Sequence, residues 1–197
     1  MSTISLSTQE EKIQLKRKNA KALMWFANAA IVMMFAALTS AYLVSRSTDG
    51  WMFFELPTVF WYSTLFIVSS SITMVLAHRN IRKGNVSGLK LWLWATFILG
   101  LAFAGTQYHA LFTVMFDSGI YFTGKGSNVS GQFLYFIAIF HLVHLSAGLL
   151  SLLFTVYKAS KNKYSKDDYS GVEVCSIYWH FLDVLWVYLF VFLLFIR

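Results

Sequence analysis

The sequence predicts an all-α fold: an integral membrane bundle of five transmembrane helices, with the N-terminus in the cytoplasm and the C-terminus outside. Three observations lead to this prediction: the composition, five long apolar stretches, and an alternation of basic residues between them. Of the 197 residues, 57% are hydrophobic and only 13% are charged. That charged share is about half the usual share of a soluble domain. So apolar a chain is typical of a protein surrounded by lipid.

Five apolar stretches are long enough to cross a membrane, because a helix needs about 20 apolar residues to span the hydrocarbon core. They leave a polar N-terminal segment, residues 1–21, ahead of a five-helix membrane domain, residues 22–197. Continuous apolarity excludes the strands of an outer-membrane barrel, which alternate and run about 10 residues. The five stretches are Ala22–Ser45, Thr58–Ala77, Leu91–Phe116, Gly131–Tyr157 and Val174–Ile196.

The distribution of Lys and Arg predicts the orientation of the bundle. The N-terminal segment and the segments 78–90 and 158–173 together hold 13 of these residues, and the other segments hold 3. Cytoplasmic segments carry the excess of positive charge in membrane proteins. These three segments are therefore expected in the cytoplasm. Basic clusters beside membrane spans indicate contact with anionic lipid head groups, so the net charge of +7 does not indicate nucleic-acid binding.

Ionisable side chains at membrane depth are costly, so each one indicates a function. His141 and His144 lie three residues apart in the fourth stretch, on one face of a helix. In the fifth stretch His180 and Asp183 have the same spacing, and Glu173 lies two turns earlier on the same face. Burial disfavours an isolated carboxylate, and His180, His141 and His144 are the candidate partners of Asp183.

These residues allow three interpretations. They could bind a metal, or His144 and His180 could hold a haem between two helices. That would make the chain an independent membrane haem or metal protein. Di-iron bundles, however, use Glu-x-x-His pairs and several carboxylates, whereas Asp183 is the one acid well inside a span. An interhelical hydrogen-bond network that satisfies the buried imidazoles is favoured by spacing alone, and a proton relay is the third interpretation.

Two motifs near the C-terminus are distinctive. In the fifth stretch Glu173 is followed by Tyr178-Trp179-His180-Phe181-x-Asp183-x-x-Trp186. The fourth stretch carries Phe140-His141-x-x-His144, and Gly148-Leu149 follows. Both motifs resemble those of subunit III of the haem–copper oxidases, the cytochrome c and quinol oxidases. Gln107, the loop motif Ser118-Gly119-x-Tyr121 and two short matches in the first stretch extend the resemblance over nearly the whole chain from residue 22; the short matches are Met24-Trp25 and Ala41-Tyr42-Leu43-Val44.

The resemblance implies the short, five-helix form of that family and an accessory function. Such a subunit has no catalytic site and binds no haem, copper or other metal itself. Haem and copper belong to catalytic subunit I, which is the direct partner beside other subunits of the respiratory complex. The complex reduces oxygen to water and pumps protons, and subunit III stabilises it, binds phospholipid and supports proton uptake.

The implied location is a bacterial cytoplasmic (inner) membrane, where the chain is a multi-pass protein. The implied structural or lipid-cleft residues all belong to the shared motifs: Gln107, His141, His144, Glu173, Trp179, His180 and Asp183.

The sequence departs from the family pattern at two places. The family usually has a buried Glu in the middle of the helix that corresponds to the first stretch, and this chain has Ile31 there. The family also tends to have an acidic residue shortly after Gln107, where this chain has Tyr108, His109 and Ala110. Neither departure affects the motifs of the fourth and fifth stretches.

Overall fold

The computed structural model describes residues 2–47, 57–114, 128–164 and 168–196. Within these ranges the chain forms five long α-helices and no strand, as the sequence predicts. All five are long and apolar enough to cross a membrane. The helices are α1 (Ser2–Ser45), α2 (Val59–Arg82), α3 (Val86–His109), α4 (Val129–Ser160) and α5 (Ser170–Ile196).

The helices continue beyond the apolar stretches that predict them. α1 includes residues 2–21, so the polar segment and the first span form one continuous helix. Gln, Glu and Lys, which are frequent in this segment, favour helix nearly as well as Leu does. The C-terminal end of α3 passes directly into a short π-helix, Ala110–Val114.

α2 and α3 form a tight antiparallel hairpin. Lys83 caps the end of α2, and Gly84 follows with a φ of +78°, a left-handed conformation that favours glycine. The side chain of Asn85 then accepts a hydrogen bond of 2.9 Å from the backbone N–H of Gly88, which caps the start of α3. The turn is short, so the two helices pack along their whole length.

α5 lies at the centre of the bundle. It packs against α1, α2 and α4, while α3 packs against α2 and α4. Half of the residues in the most apolar window of α5 are buried, against 17% in that of α1. The helix that carries the more distinctive motif is therefore the most buried of the five. α1 lies at the outside, mainly against α4 and α5.

Candidate functional site

The side chain of Trp179 is buried between α2, α3 and α4. It is 1% exposed, and its indole N–H donates a hydrogen bond of 3.0 Å to the hydroxyl of Ser70 on α2. A Cβ at Gly100 on α3 would lie 2.6 Å from the ring of Trp179. A Cβ at Gly148 on α4 would lie 2.7 Å from Leu182, one turn further along α5. The absence of a side chain at these two glycines therefore lets α5 pack closely against α3 and α4.

Trp186, two turns after Trp179, repeats this arrangement. Its indole N–H donates a hydrogen bond of 3.1 Å to the hydroxyl of Thr64 on α2. Its ring stacks on Phe60 at 6.0 Å between centroids and meets the edge of Phe103 at 5.2 Å. The two tryptophans thus bind the same face of α2 through both hydrogen bonds and ring packing.

Gln107 joins α3 to that face of α2. Its side-chain nitrogen donates a hydrogen bond of 2.8 Å to the hydroxyl of Ser63, and the residue is 1% exposed. Ser63 and Ser70 are seven residues apart, as are Thr64 and Ser71, so these four hydroxyls lie on one side of α2. We call them the hydroxyl seam. Sequence reasoning missed it, although the spacing of seven was a usable signal.

His180 and Asp183 lie close together, as their spacing predicts. The Nδ1 of His180 is 2.7 Å from the hydroxyl of Ser71, the fourth member of the hydroxyl seam. The same nitrogen is 3.9 Å from Oδ2 of Asp183, which is beyond hydrogen-bond distance. Asp183 is 3% exposed, and neither of its carboxyl oxygens has a hydrogen-bond partner among the described residues.

The histidines of α4 do not reach Asp183, contrary to the candidate pairing made from the sequence. His141 is fully buried and lies 5.2 Å from the ring of Trp186 and 6.0 Å from that of Phe103. Neither ring nitrogen of His141 has a hydrogen-bond partner in the described part of the chain. The Nδ1 of His144 lies 2.7 Å from the carbonyl oxygen of Phe140 in its own helix.

Comparison with known protein families shows which family the chain belongs to. The family profile described as "Cytochrome c oxidase subunit III" matches residues 51–196. The chain belongs to the cytochrome c oxidase subunit III family. It is an accessory subunit of an oxidase, and the alternative of an independent haem or metal protein is not favoured.

Curated relatives of the subunit III family agree over most of the chain. "Cytochrome c oxidase subunit 3" of Thermostichus vulcanus is 30% identical over 168 residues, covering 80% of this chain and 78% of that protein. "Cytochrome c oxidase subunit 3" of Alkalihalophilus pseudofirmus is 27% identical over 189 residues, covering 94% and 90%. "Probable cytochrome c oxidase subunit 3" of Mycobacterium tuberculosis is 29% identical over 171 residues, covering 84% and 82%.

In this subunit III chain, ion pairs of Glu173 join α5 to α1. Its carboxylate accepts a hydrogen bond of 2.5 Å from Arg17 and lies 2.6 Å from the ammonium of Lys21. The guanidinium of Arg17 also lies 4.5 Å above the ring of Tyr169. The face shared by Glu173 and His180 in the sequence therefore has two sets of partners: basic residues of α1 at one end, and the hydroxyl seam of α2 deeper in.

The described residues contain no group of three or more His, Cys, Asp or Glu placed to hold a metal ion. The titratable motif residues are instead spread over different contacts. His141 lies in the aromatic core, His180 against α2, and Glu173 against α1. The predicted loop motif Ser118-Gly119-x-Tyr121 lies outside the described residues.

Proposed function

We propose that this chain packs directly against catalytic subunit I of a terminal haem–copper oxidase and keeps that subunit active during sustained turnover. On this proposal, haem and copper are held by the catalytic subunit, where oxygen is reduced to water and proton pumping is driven. The chain contributes a stable surface, lipid sites and support for proton uptake. It acts in a bacterial cytoplasmic membrane, beside the other respiratory subunits.

The observation that carries this proposal is the engagement of the signature side chains in helix packing. Trp179 and Trp186 donate to hydroxyls of α2, and His180 lies at hydrogen-bond distance from Ser71. Glu173 is held by two basic residues of α1. Hydrogen bonds between membrane helices contribute roughly 0.6–2 kcal/mol each. Side chains committed to such contacts favour a rigid scaffold over a site of chemistry.

Removal of this chain is the direct test of its function in the oxidase. Oxidase purified without it should show an initial rate of oxygen reduction close to that of the complete enzyme, because the redox centres are held elsewhere. Its activity should then decay at least several-fold faster during continuous turnover. The measurement is oxygen consumption followed over many turnovers, with re-addition of the chain as the control. Equal decay with and without the chain would contradict a stabilising function.

A groove lined by lysines supports the proposed binding of phospholipid. It has a volume of about 490 Å³ and lies between α1, the end of α4 and the start of α5. Lys16, Lys158 and Lys163 line it together with Ser170 and Gly171, the first residues of α5. Asp168 also lines the groove, and its carboxylate accepts hydrogen bonds from the backbone N–H and the hydroxyl of Ser170, at 3.4 and 3.0 Å, so it occupies the start of α5. The three lysines outnumber this carboxylate and favour an anionic phosphate group. We assign an anionic phospholipid head group to this groove.

The lipid assignment predicts a selective loss of anionic lipid. A Lys158→Ala, Lys163→Ala double variant should co-purify with about half the anionic phospholipid of the wild type, or less, because two of the three groove lysines are lost. Lys18→Ala is the matched control, since Lys18 is exposed on α1 and does not line the groove. Extracted lipid is quantified by mass spectrometry per mole of chain. The assignment fails if the double variant and the control retain equal amounts.

The proposed orientation places the basic segments in the cytoplasm. The lysine-lined groove and the ion pairs of Glu173 both involve basic residues of the N-terminal segment. These charges therefore lie at one end of the bundle, which supports this orientation. A Ser127→Cys, Cys175→Ser variant should react with a membrane-impermeant thiol reagent from outside intact cells. Ser165→Cys in the same background should react only after permeabilisation. The reverse pattern of labelling would contradict the orientation.

The charged end of the bundle also supports the proposed contribution to proton uptake. Glu173, Arg17, Lys21 and Tyr169 are grouped there, and the ring of His78 on α2 lies 5.8 Å from that of Tyr169. Ionisable groups gathered beside a membrane can collect protons and pass them along the surface, and His78 is the group here that is not held in the ion pairs of Glu173. We propose that this cluster does so for the catalytic subunit.

A further inference from the structure

Five polar side chains share the contact between α2 and α5. Tyr169, directly before α5, is followed at intervals of seven residues by Ser176 and Asp183, so the three lie on one side of that helix. On α2, His78 and Ser71 are also seven residues apart and share a side. Seven residues of helix span about 10 Å. We call these five side chains the polar strip.

Contacts between the two helices fix both ends of the polar strip. At one end the ring of His78 lies 5.8 Å from that of Tyr169. At the other end the hydroxyl of Ser71 lies 2.7 Å from Nδ1 of His180, and the same nitrogen is 3.9 Å from Oδ2 of Asp183. The two sides of the strip therefore face each other along the whole distance between these contacts.

Two members of the polar strip have buried polar atoms that lack a partner. Within the described part of the chain, neither Nδ1 of His78 nor either carboxyl oxygen of Asp183 has a hydrogen bond. Ser176, midway along the strip on α5, is itself 7% exposed. Buried polar atoms of this kind bind internal water, which can carry protons between them. A carboxylate alone at membrane depth is costly, and a proton on it removes that cost.

The other helices around α5 offer Asp183 no positive charge at close range. On α1, the two basic partners of Glu173 lie about 15 Å from Asp183, since ten residues of helix separate the two acids. On α4, His141 lies among aromatic rings, and Nδ1 of His144 is engaged within its own helix. Among the described residues, no Lys or Arg forms an ion pair with Asp183. A neutral carboxylic acid therefore fits this position better than a carboxylate.

We propose that Asp183 is a proton-binding site, protonated at neutral pH, whose proton exchanges along the polar strip with water at the charged end of the bundle. Each transfer breaks an O–H or N–H bond on one group and forms one on the next. The net change converts a hydronium ion into water beside His78 and the carboxylate of Asp183 into the acid. Residues 184–196 contain no Asp, Glu, His, Lys or Arg, so the line ends at Asp183 as a site and does not cross the membrane.

This inference deepens the proposed support for proton uptake, and the use of the bound proton by the oxidase rests on that proposed function. The carboxyl group of Asp183 turns about a broad torsion, which lets Oδ2 close the gap to His180 during transfer. The site thus holds a proton inside the membrane that the cluster at the charged end can replenish.

Infrared spectroscopy of the full chain in detergent at neutral pH tests the proton-binding site. The spectrum of the wild type minus that of Asp183→Asn should contain the C=O stretching band of a carboxylic acid, with the intensity of about one group per chain, because an unpaired buried acid keeps its proton. Asp168→Asn is the matched control, since Asp168 is exposed. It should remove no such band.

Transfer into D₂O tests the route, because the band shifts when the O–H of the acid becomes O–D. His78→Phe keeps a ring against Tyr169 and should slow this shift about tenfold or more, since the proton must then pass apolar side chains. His144→Phe is the matched control and should leave the rate unchanged, because His144 lies off the polar strip.

The proposal is overturned if Asp183→Asn removes no acid band, as for an aspartate paired with a protonated His180. It is also overturned if His78→Phe and the wild type exchange at the same rate. Neither result affects the proposed function, which is tested by removing the chain from the oxidase. If that removal leaves the decay of activity unchanged while the acid band is present, the proposed function fails and the proton-binding site stands.

Discussion

Trp179→Ala is expected to lower the stability of the isolated chain by about 3–5 kcal/mol, the usual range for truncating a buried Phe or Trp to Ala. The ring is almost fully buried between α2, α3 and α4, so its loss leaves a cavity at the meeting point of four helices. The hydroxyl of Ser70 also loses its donor. In lipid most of this loss comes from packing, because lipid is itself apolar.

Thermal unfolding of the purified chain in detergent measures this effect, with retention of the chain in the oxidase as a second readout. Trp94→Ala is the matched control, since Trp94 is 46% exposed on α3. It should cost less than about 1 kcal/mol, in line with exposed substitutions. Gly100→Ala should also destabilise the chain, because its Cβ would press on the Trp179 ring. Equal losses for Trp179→Ala and Trp94→Ala would refute the packing described for Trp179.

Asp183→Leu is expected to raise the stability of the isolated chain by about 1–3 kcal/mol, which is the usual penalty of a buried polar group without a partner. Both carboxyl oxygens lack hydrogen bonds within the described residues, and the residue is nearly fully buried. Replacing Asp183 should leave no hydrogen-bond donor without a partner, because the Nδ1 of His180 keeps its hydrogen bond with Ser71. Sequence reasoning alone, which pairs Asp183 with a histidine, would predict a loss of stability instead.

The comparison that isolates this effect is Asp183→Asn, which keeps the size and polarity of the side chain. It should leave stability closer to that of the wild type, as measured by thermal unfolding in the same detergent. In the assembled oxidase, the haem spectrum per catalytic subunit should be the same for both variants. A marked destabilisation by Asp183→Leu would mean that the carboxyl group has a partner within the chain. A changed haem spectrum with full retention of the variant would favour a cofactor role.

The five spans were predictable because lipid imposes a simple rule on sequence. Each backbone polar group must be bonded within its own helix, so a span is a run of about 20 apolar residues. The same rule does not fix where a helix ends in water. α1 therefore extends back to Ser2 and α2 forward to Arg82, well past the apolar stretches.

The candidate site was only partly predictable, because helical spacing shows which residues share a face but not which helix that face meets. The spacing predicted that His180 and Asp183 lie close together, and the structure has them 3.9 Å apart. It did not show that Glu173 meets Arg17 and Lys21 of α1, or that His180 meets Ser71 of α2. Pairing between helices depends on the three-dimensional arrangement of the bundle, and one sequence carries little information about it.

The most direct test of an accessory function is the visible spectrum of the chain, measured with its partners and after separation from them. Purified under mild detergent, the tagged chain should co-purify with a catalytic oxidase subunit and show the haem spectrum of that complex. After separation in stronger detergent, the chain should be colourless and contain less than about 0.1 mole of iron or copper per mole. Haem or metal retained at about one mole per mole of the separated chain would contradict an accessory function and restore the redox alternative.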